Sequence, residues 1–229
     1  MQRFQTNFIR QVIVRSLLLF SFFIFHFSFV QAQEVVDKMV AVINGRELIT
    51  HTDLLWQLAL EPNVPLDNPR SEDLNRVLQL LIDQRLIAQE AEKLPSISPR
   101  NQEIDSALAE LVSRFPSKAG FYERLARVGL GEDSEQLREI VRQRVAIENY
   151  LIFRFRSFAI VTPQEVDDYY RNVWVPRRRR QAPGRIVPEL KDARAEIEKE
   201  LTESKVESDI DQFLEDARNR AEIQILSPV

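Results

Sequence analysis

A chain of 229 residues that is 44% hydrophobic and has no cysteine excludes a disulfide-stapled mini-protein and a cysteine-anchored lipoprotein. Its 35 acidic and 31 basic residues give a net charge of −4, which excludes a general nucleic-acid binder. Residues 1–32 read as a cleavable secretory signal: Arg3, Arg10 and Arg15 without an acid, an apolar stretch over residues 17–30, then Val30-Gln31-Ala32 as the exit site. The alternative, a retained anchor, is disfavoured because the uncharged residues 16–32 number 17, at or below the roughly 18–20 that cross a bilayer. Cleavage would remove the three arginines, take the charge from −4 to −7 and place the working protein outside the cytoplasm, with no stable membrane insertion.

The remaining elements follow in order. Lys38 to Ile43 is β-branched and apolar, Asn44-Gly45 is the dipeptide of type I′ turns, and Arg46 to Ile49 returns as the second strand of a hairpin. Two strands alone are marginal in water, so a third element must extend or cover them. Thr50 and Asp53 have capping-box spacing and open a short helix with Leu54, Leu55, Leu58 and Ala59 on its apolar face. Residues 61–69 form a proline-rich loop. Residues 74–93 carry the strongest helical signal, with Leu74, Val77, Leu78, Leu81, Ile82 and Leu86 at spacings of three and four, and Pro95 stops it.

Ser98-Pro99 is expected to restart a helix with the stripe Ile104, Leu108, Leu111 and Val112. Ser117 caps a short helix that Gly129 closes, and Asp133 or Ser134 caps a longer one running to about Phe155. Thr162-Pro163-Gln164-Glu165 combines an N-cap, a first-turn proline and a capping-box glutamate. Residues 173–188, with three prolines, Gly184 and the run Arg177-Arg178-Arg179-Arg180, read as a linker. A long helix over residues 189–220 precedes Ala221 to Leu226, which alternates as a strand should and is the natural third strand for the hairpin. The expected fold is mainly α, with one small sheet joining the two ends of the exported chain.

Val36 to Gly45 followed by Ile49-Thr50 and Asp53-Leu54, then Leu80 to Asp83 with Leu86-Ile87 and Gln89 to Ala91, resemble the start of SurA-type periplasmic chaperones. So do Val161 to Val166 with Tyr169-Tyr170, and Phe213-Leu214 through Leu226 at the other end. The resemblance implies a helical chaperone domain over residues 33–172 completed by residues 189–229, acting in the periplasm without ATP or any cofactor on unfolded outer-membrane or periplasmic proteins. In that family a parvulin-type prolyl isomerase domain of roughly a hundred residues usually precedes the C-terminal helix. Residues 173–188 leave no room for one, so the resemblance implies the chaperone core without isomerase activity.

Catalytic signals are sparse. His51 is the only histidine beyond residue 32, and the sequence has no Gly-x-Ser-x-Gly, Walker loop, dinucleotide turn or His-Glu-x-x-His. Asp167 and Asp168 are adjacent, so they diverge around a helix and do not share a metal. No enzyme and no metal site is expected. The aromatic group Tyr150, Phe153, Phe155, Phe158, Tyr169, Tyr170 and Trp174 has two readings, a helix–helix core or a surface for unfolded clients. Phe153 and Phe155 are two apart and face different sides of a helix, which leaves some aromatic surface open. The arginine run reads as a solvated linker, or as a contact for anionic lipid or acidic client segments. An adaptor subunit of an envelope complex, using the same surface for one fixed partner, is the rival in a different class; a prolyl isomerase by family habit is the second.

Overall fold

The computed structural model describes residues 37–229; the expected signal at residues 1–32 lies outside them. Strands β1 (Met39–Ile43) and β2 (Glu47–Thr50) form the hairpin. Asn44 and Gly45 both adopt positive φ, 53° and 63°, and the Arg46 amide donates to the Ile43 carbonyl at 3.1 Å. That is why Asn-Gly is needed: other residues resist two consecutive left-handed positions. The pairing runs Ile43 to Glu47 and Ala41 to Ile49, with Met39 opposite Thr50, so Val40 is an extra residue in β1. This bulge breaks the in–out alternation, and Val40 and Ala41 are both fully buried.

Strand β3 (Ile223–Ile225) pairs antiparallel with the other edge of β1, giving the order β2-β1-β3 and joining the ends of the described chain as expected. Asn44 locks the arrangement. Its amide nitrogen donates to Gln89, its side-chain oxygen accepts from the Glu222 amide at 3.0 Å, and its backbone amide donates to the Glu222 carbonyl at 2.7 Å.

Helix α1 (His51–Ala59) starts in the reciprocal box of Thr50 and Asp53. Helix α2 (Ser71–Ala91) begins a turn earlier than its apolar stripe. Its Leu74, Val77, Leu78, Leu81, Ile82 and Leu86 bury against the sheet and α1, and Ala217, Ala221, Ile223 and Val229 cover the same core from the C-terminus. Helix α3 (Asn101–Ser113) departs from expectation: Ser98-Pro99 does not cap it. Pro95–Ile97 forms a tight turn instead, and the Arg100 amide donates to Glu103 at 2.7 Å to start the helix two residues later. Glu103 is the capping-box acid, and a residue three before it becomes the cap.

Helix α4 (Lys118–Ala126) is capped by Ser117 and ends where Gly129 turns back with φ 81°, the Leu130 amide reaching the Leu125 carbonyl at 3.0 Å. Helix α5 (Glu135–Arg154) is capped by Ser134. A second core gathers Ile104, Leu111, Phe121, Leu125, Leu137 and Val141. Arg124 ties α4 to the last turn of α1 and the loop beyond it by donating to the carbonyls of Leu58, Ala59 and Val64.

Helix α6 (Pro163–Tyr169) starts in the expected box, Thr162 and Glu165. The reading of residues 173–188 as a linker is overturned. The chain continues from α6 through a π-helical turn, Tyr170–Trp174, into α7 (Val175–Gln181), and only residues 182–189 are irregular. Pro176 sits just past the π turn. A proline has no amide to donate and crowds the carbonyl four residues back, and a wider turn there lets the helix continue. Helix α8 (Leu190–Arg220) packs its first half on α6 and α7 through Val166, Trp174, Ala193 and Ile197, and its last turns on α2.

Glu165 carries a pH signature. A hydrogen bond from Lys205, and others from the backbone and hydroxyl of Thr162, lower its pKa from 4.5 to about 2. A carboxylate stabilised in the folded state contributes stability above its unfolded pKa and loses it as pH falls through the folded one. The difference in melting temperature between the parent and Glu165→Gln should therefore be full above pH 5 and vanish as pH falls from 4.5 towards 2. A difference that stays constant across that window refutes the assignment.

Candidate functional site

The C-terminal end of α5 is a ridge between two clefts. On one side a cleft of about 720 Å³ is lined by Gln57, Leu60, Glu61, Gln84, Arg114, Arg144, Ile147, Glu148, Leu151, Ile152 and Arg156, with Val206 and Ile210 of α8 opposite. On the other, one of about 810 Å³ is bordered by Glu90, Leu94, Phe153, Arg154 and Phe155, facing Asp209, Phe213, Asp216 and Arg220 of α8. Helix α8 spans both: Val206 and Ile210 face the first cleft, and Phe213 and Asp216 the second.

The seven candidate aromatic residues divide between interior and surface. Tyr150 is 5% exposed and Phe155 half-buried, and both rings meet Phe213 of α8, with centroids 6.1 and 5.6 Å away. They form the floor that joins α5 to α8, and burial raises the Tyr150 pKa. Trp174 is 1% exposed, so it is core. Tyr170 stacks on one side of it at 5.7 Å, and the Arg178 guanidinium lies 4.9 Å from the ring centroid. Tyr169 is half-buried and donates to Glu200 at 2.9 Å. Phe153 and Phe158 are the open pair, 44% and 69% exposed and set edge to face at 6.4 Å. Ile152 and Ile160, absent from the sequence-derived set, extend this corner at 43% and 75% exposed. Phe153 thus faces out while Phe155 faces in, as their spacing requires.

The arginine run splits by helical position. Arg177 donates to both carboxylate oxygens of Glu200 at 2.8 Å, and Arg178 pairs with Glu196, so two of the four fasten α7 to α8. Burial favours the protonated form of Glu200, but the hydrogen bonds from Arg177 and Tyr169 outweigh it and the net shift is downward. The bond to Glu200 raises Arg177 in turn. Arg179 and Arg180 are exposed on the other side.

His51 sits in the first turn of α1, and its buried Nδ1 has no hydrogen-bond partner. Burial would raise the neighbouring Asp37. Hydrogen bonds from Thr50 and Thr52, with the charge of His51, overcome that and lower it. Among the described residues no group of three acidic or histidine side chains is disposed to hold a metal ion, and no helix is long and apolar enough to cross a membrane. No family model matches this chain, and no curated protein matches it.

Sequence reasoning missed Arg144. It lies three residues after Val141 and three before Ile147, inside the apolar stripe of α5, and an arginine in that position was the available signal.

Proposed function

We propose that this protein holds unfolded polypeptides without ATP in the periplasm, with outer-membrane β-barrel precursors as its main clients. The observation that carries the reading is the uncovered corner Ile152, Phe153, Phe158 and Ile160, set on the ridge between two open clefts. Exposed apolar side chains gathered within nine residues of chain, two of them in ring contact, cost solubility and mark a place where something binds. Two broad clefts with charged rims suit many weak contacts with varied chains better than one fitted ligand. The likeness of the strand, helix and closing segments to SurA-type chaperones points the same way. Isomerase activity is outside this reading, because α7 and residues 182–189 occupy the place where that family carries its catalytic domain.

The test is aggregation of urea-diluted barrel protein in the presence of the purified protein. Near-stoichiometric amounts should suppress light scattering and leave the rate of proline-limited refolding unchanged. Phe153→Ser with Phe158→Ser should weaken suppression several-fold while shifting stability by no more than about 1 kcal/mol, as exposed positions allow. Unaltered suppression by that folded variant rules out the corner as the client surface. Capture of a single stoichiometric partner after crosslinking in the envelope, without suppression of aggregation, would make the protein an adaptor.

A further inference from the structure

The 720 Å³ cleft contains charge that the holding surface does not use. Three guanidiniums, Arg114, Arg144 and Arg156, line a space whose other walls include Leu60, Ile147, Leu151, Val206 and Ile210. A cation beside apolar walls is costly unless an anion meets it. Arg144 meets none among the described residues. Its one hydrogen bond runs from Nη2 to the neutral Gln57 Oε1 at 2.7 Å. Arg144 lines the cleft, and its other N–H groups have no hydrogen-bond partner among the described residues.

Two acids, Glu61 and Glu148, also line the cleft. Glu61 takes two hydrogen bonds from Arg76, at 3.1 and 2.7 Å. Glu110 holds Arg114 at 2.7 Å, and Glu148, on the cleft wall, is exposed and forms no ion pair with Arg144 among the described residues. Burial lowers the pKa of Arg144, and the like charge of Arg114 lowers it further against the pull of Glu61. Two cations that repel each other across a cavity are stabilised by an anion between them. Arg156, just past the end of α5, has no ion pair among the described residues and adds positive charge to the same cleft.

From this geometry we infer that the cleft binds an acidic residue flanked by apolar ones in an extended client segment. The carboxylate sits on Arg144 beside Arg114, and the apolar neighbours lie against Leu151, Ile152 and Ile210. The volume is on the scale of pockets for ligands of several hundred Å³, far more than an inorganic anion fills, and the apolar wall gives such an anion nothing to contact. The inference rests on the holding reading and names what one part of a client must offer.

The experiment uses the purified protein and two fluorescein-labelled, amidated heptapeptides, Ala-Leu-Phe-Glu-Phe-Leu-Ala and the same peptide with glutamine replacing the glutamate. Fluorescence anisotropy at low salt should give roughly tenfold tighter binding of the acidic peptide. Arg144→Gln should equalise the two peptides. Arg114→Gln, exposed enough to keep the fold, should narrow the gap about threefold and decides the matter if Arg144→Gln does not fold. Equal binding of the two peptides by the parent overturns the inference, as does a preference that persists in the folded Arg144→Gln variant or one that Arg114→Gln leaves at its full parental size. Suppressed aggregation with equal peptide binding would sink the inference and leave the holding reading standing. Acidic-peptide preference without suppressed aggregation would do the reverse.

Discussion

Deletion of residues 221–229 is expected to lower the melting temperature by roughly 8–16 °C. The deletion removes β3, and with it three paired positions along β1, Ala41 with Ile225, Val42 with Gln224, and Ile43 with Ile223. It also removes the Leu226 amide donating to Val40 at 2.8 Å and the Glu222 groups that satisfy Asn44. The central strand becomes an edge, and fully buried Val40, Ala41 and Ile43 lose the cover given by Ala221, Ile223 and Val229. Partial re-exposure of several such side chains costs about 4 kcal/mol in all, at about 25 cal/mol for each Å² of apolar surface. Each kcal/mol is worth roughly 2–4 °C in a domain of this size. The remaining two-stranded hairpin is marginal by itself, so the loss propagates into the packing of α2 against it. A thermal melt followed by circular dichroism is the measurement. A shift smaller than about 2 °C would mean that the sheet does not depend on β3.

The parts of this fold legible in the sequence are those whose chemistry is local. Asn44-Gly45, Thr50 with Asp53, Ser117, Ser134, and Thr162 with Glu165 each satisfy backbone groups within three or four residues, so their partners are written beside them. The third strand was legible for a different reason: a hairpin without a partner and an alternating segment without a sheet imply each other. What failed was the meaning of Pro176 and the arginine run. Residue by residue they look like a linker. They are helical because Trp174 is enclosed by Ala193 and Ile197 and because Glu196 and Glu200, some twenty residues away, receive Arg178 and Arg177. The candidate site divided along the same line. That Phe153 and Phe155 face opposite ways follows from helical spacing. That Trp174 is interior and Phe158 exposed depends on where α8 lies, which no local pattern specifies.

Trp174 should be the most costly single side chain to remove from the second half of the molecule. It is 1% exposed and is the largest member of the cluster that binds α6 and α7 to the first half of α8. Truncation to alanine leaves a cavity among Val166, Ala193 and Ile197 and strips both Tyr170 and Arg178 of the ring they lie against. Losses of about 3–5 kcal/mol are typical for a buried tryptophan truncated in this way. Trp174→Phe should behave differently. The indole Nε1 is buried without an acceptor, and an unmet buried donor itself costs about 1–3 kcal/mol. Phenylalanine keeps most of the apolar contact and the face turned towards Tyr170 and Arg178, while removing that donor. The cavity it opens and the penalty it relieves act in opposite directions, so its net cost should stay below about 1.5 kcal/mol. Urea unfolding of the parent and the two variants separates these terms, with Phe158→Ala as an exposed control expected to stay within about 0.5 kcal/mol. Equal destabilisation by Trp174→Ala and Trp174→Phe would show that the indole nitrogen has a partner and that the ring is held by more than packing. A loss below 1 kcal/mol for Trp174→Ala would place the tryptophan at the surface and return it to the set of side chains available to a client.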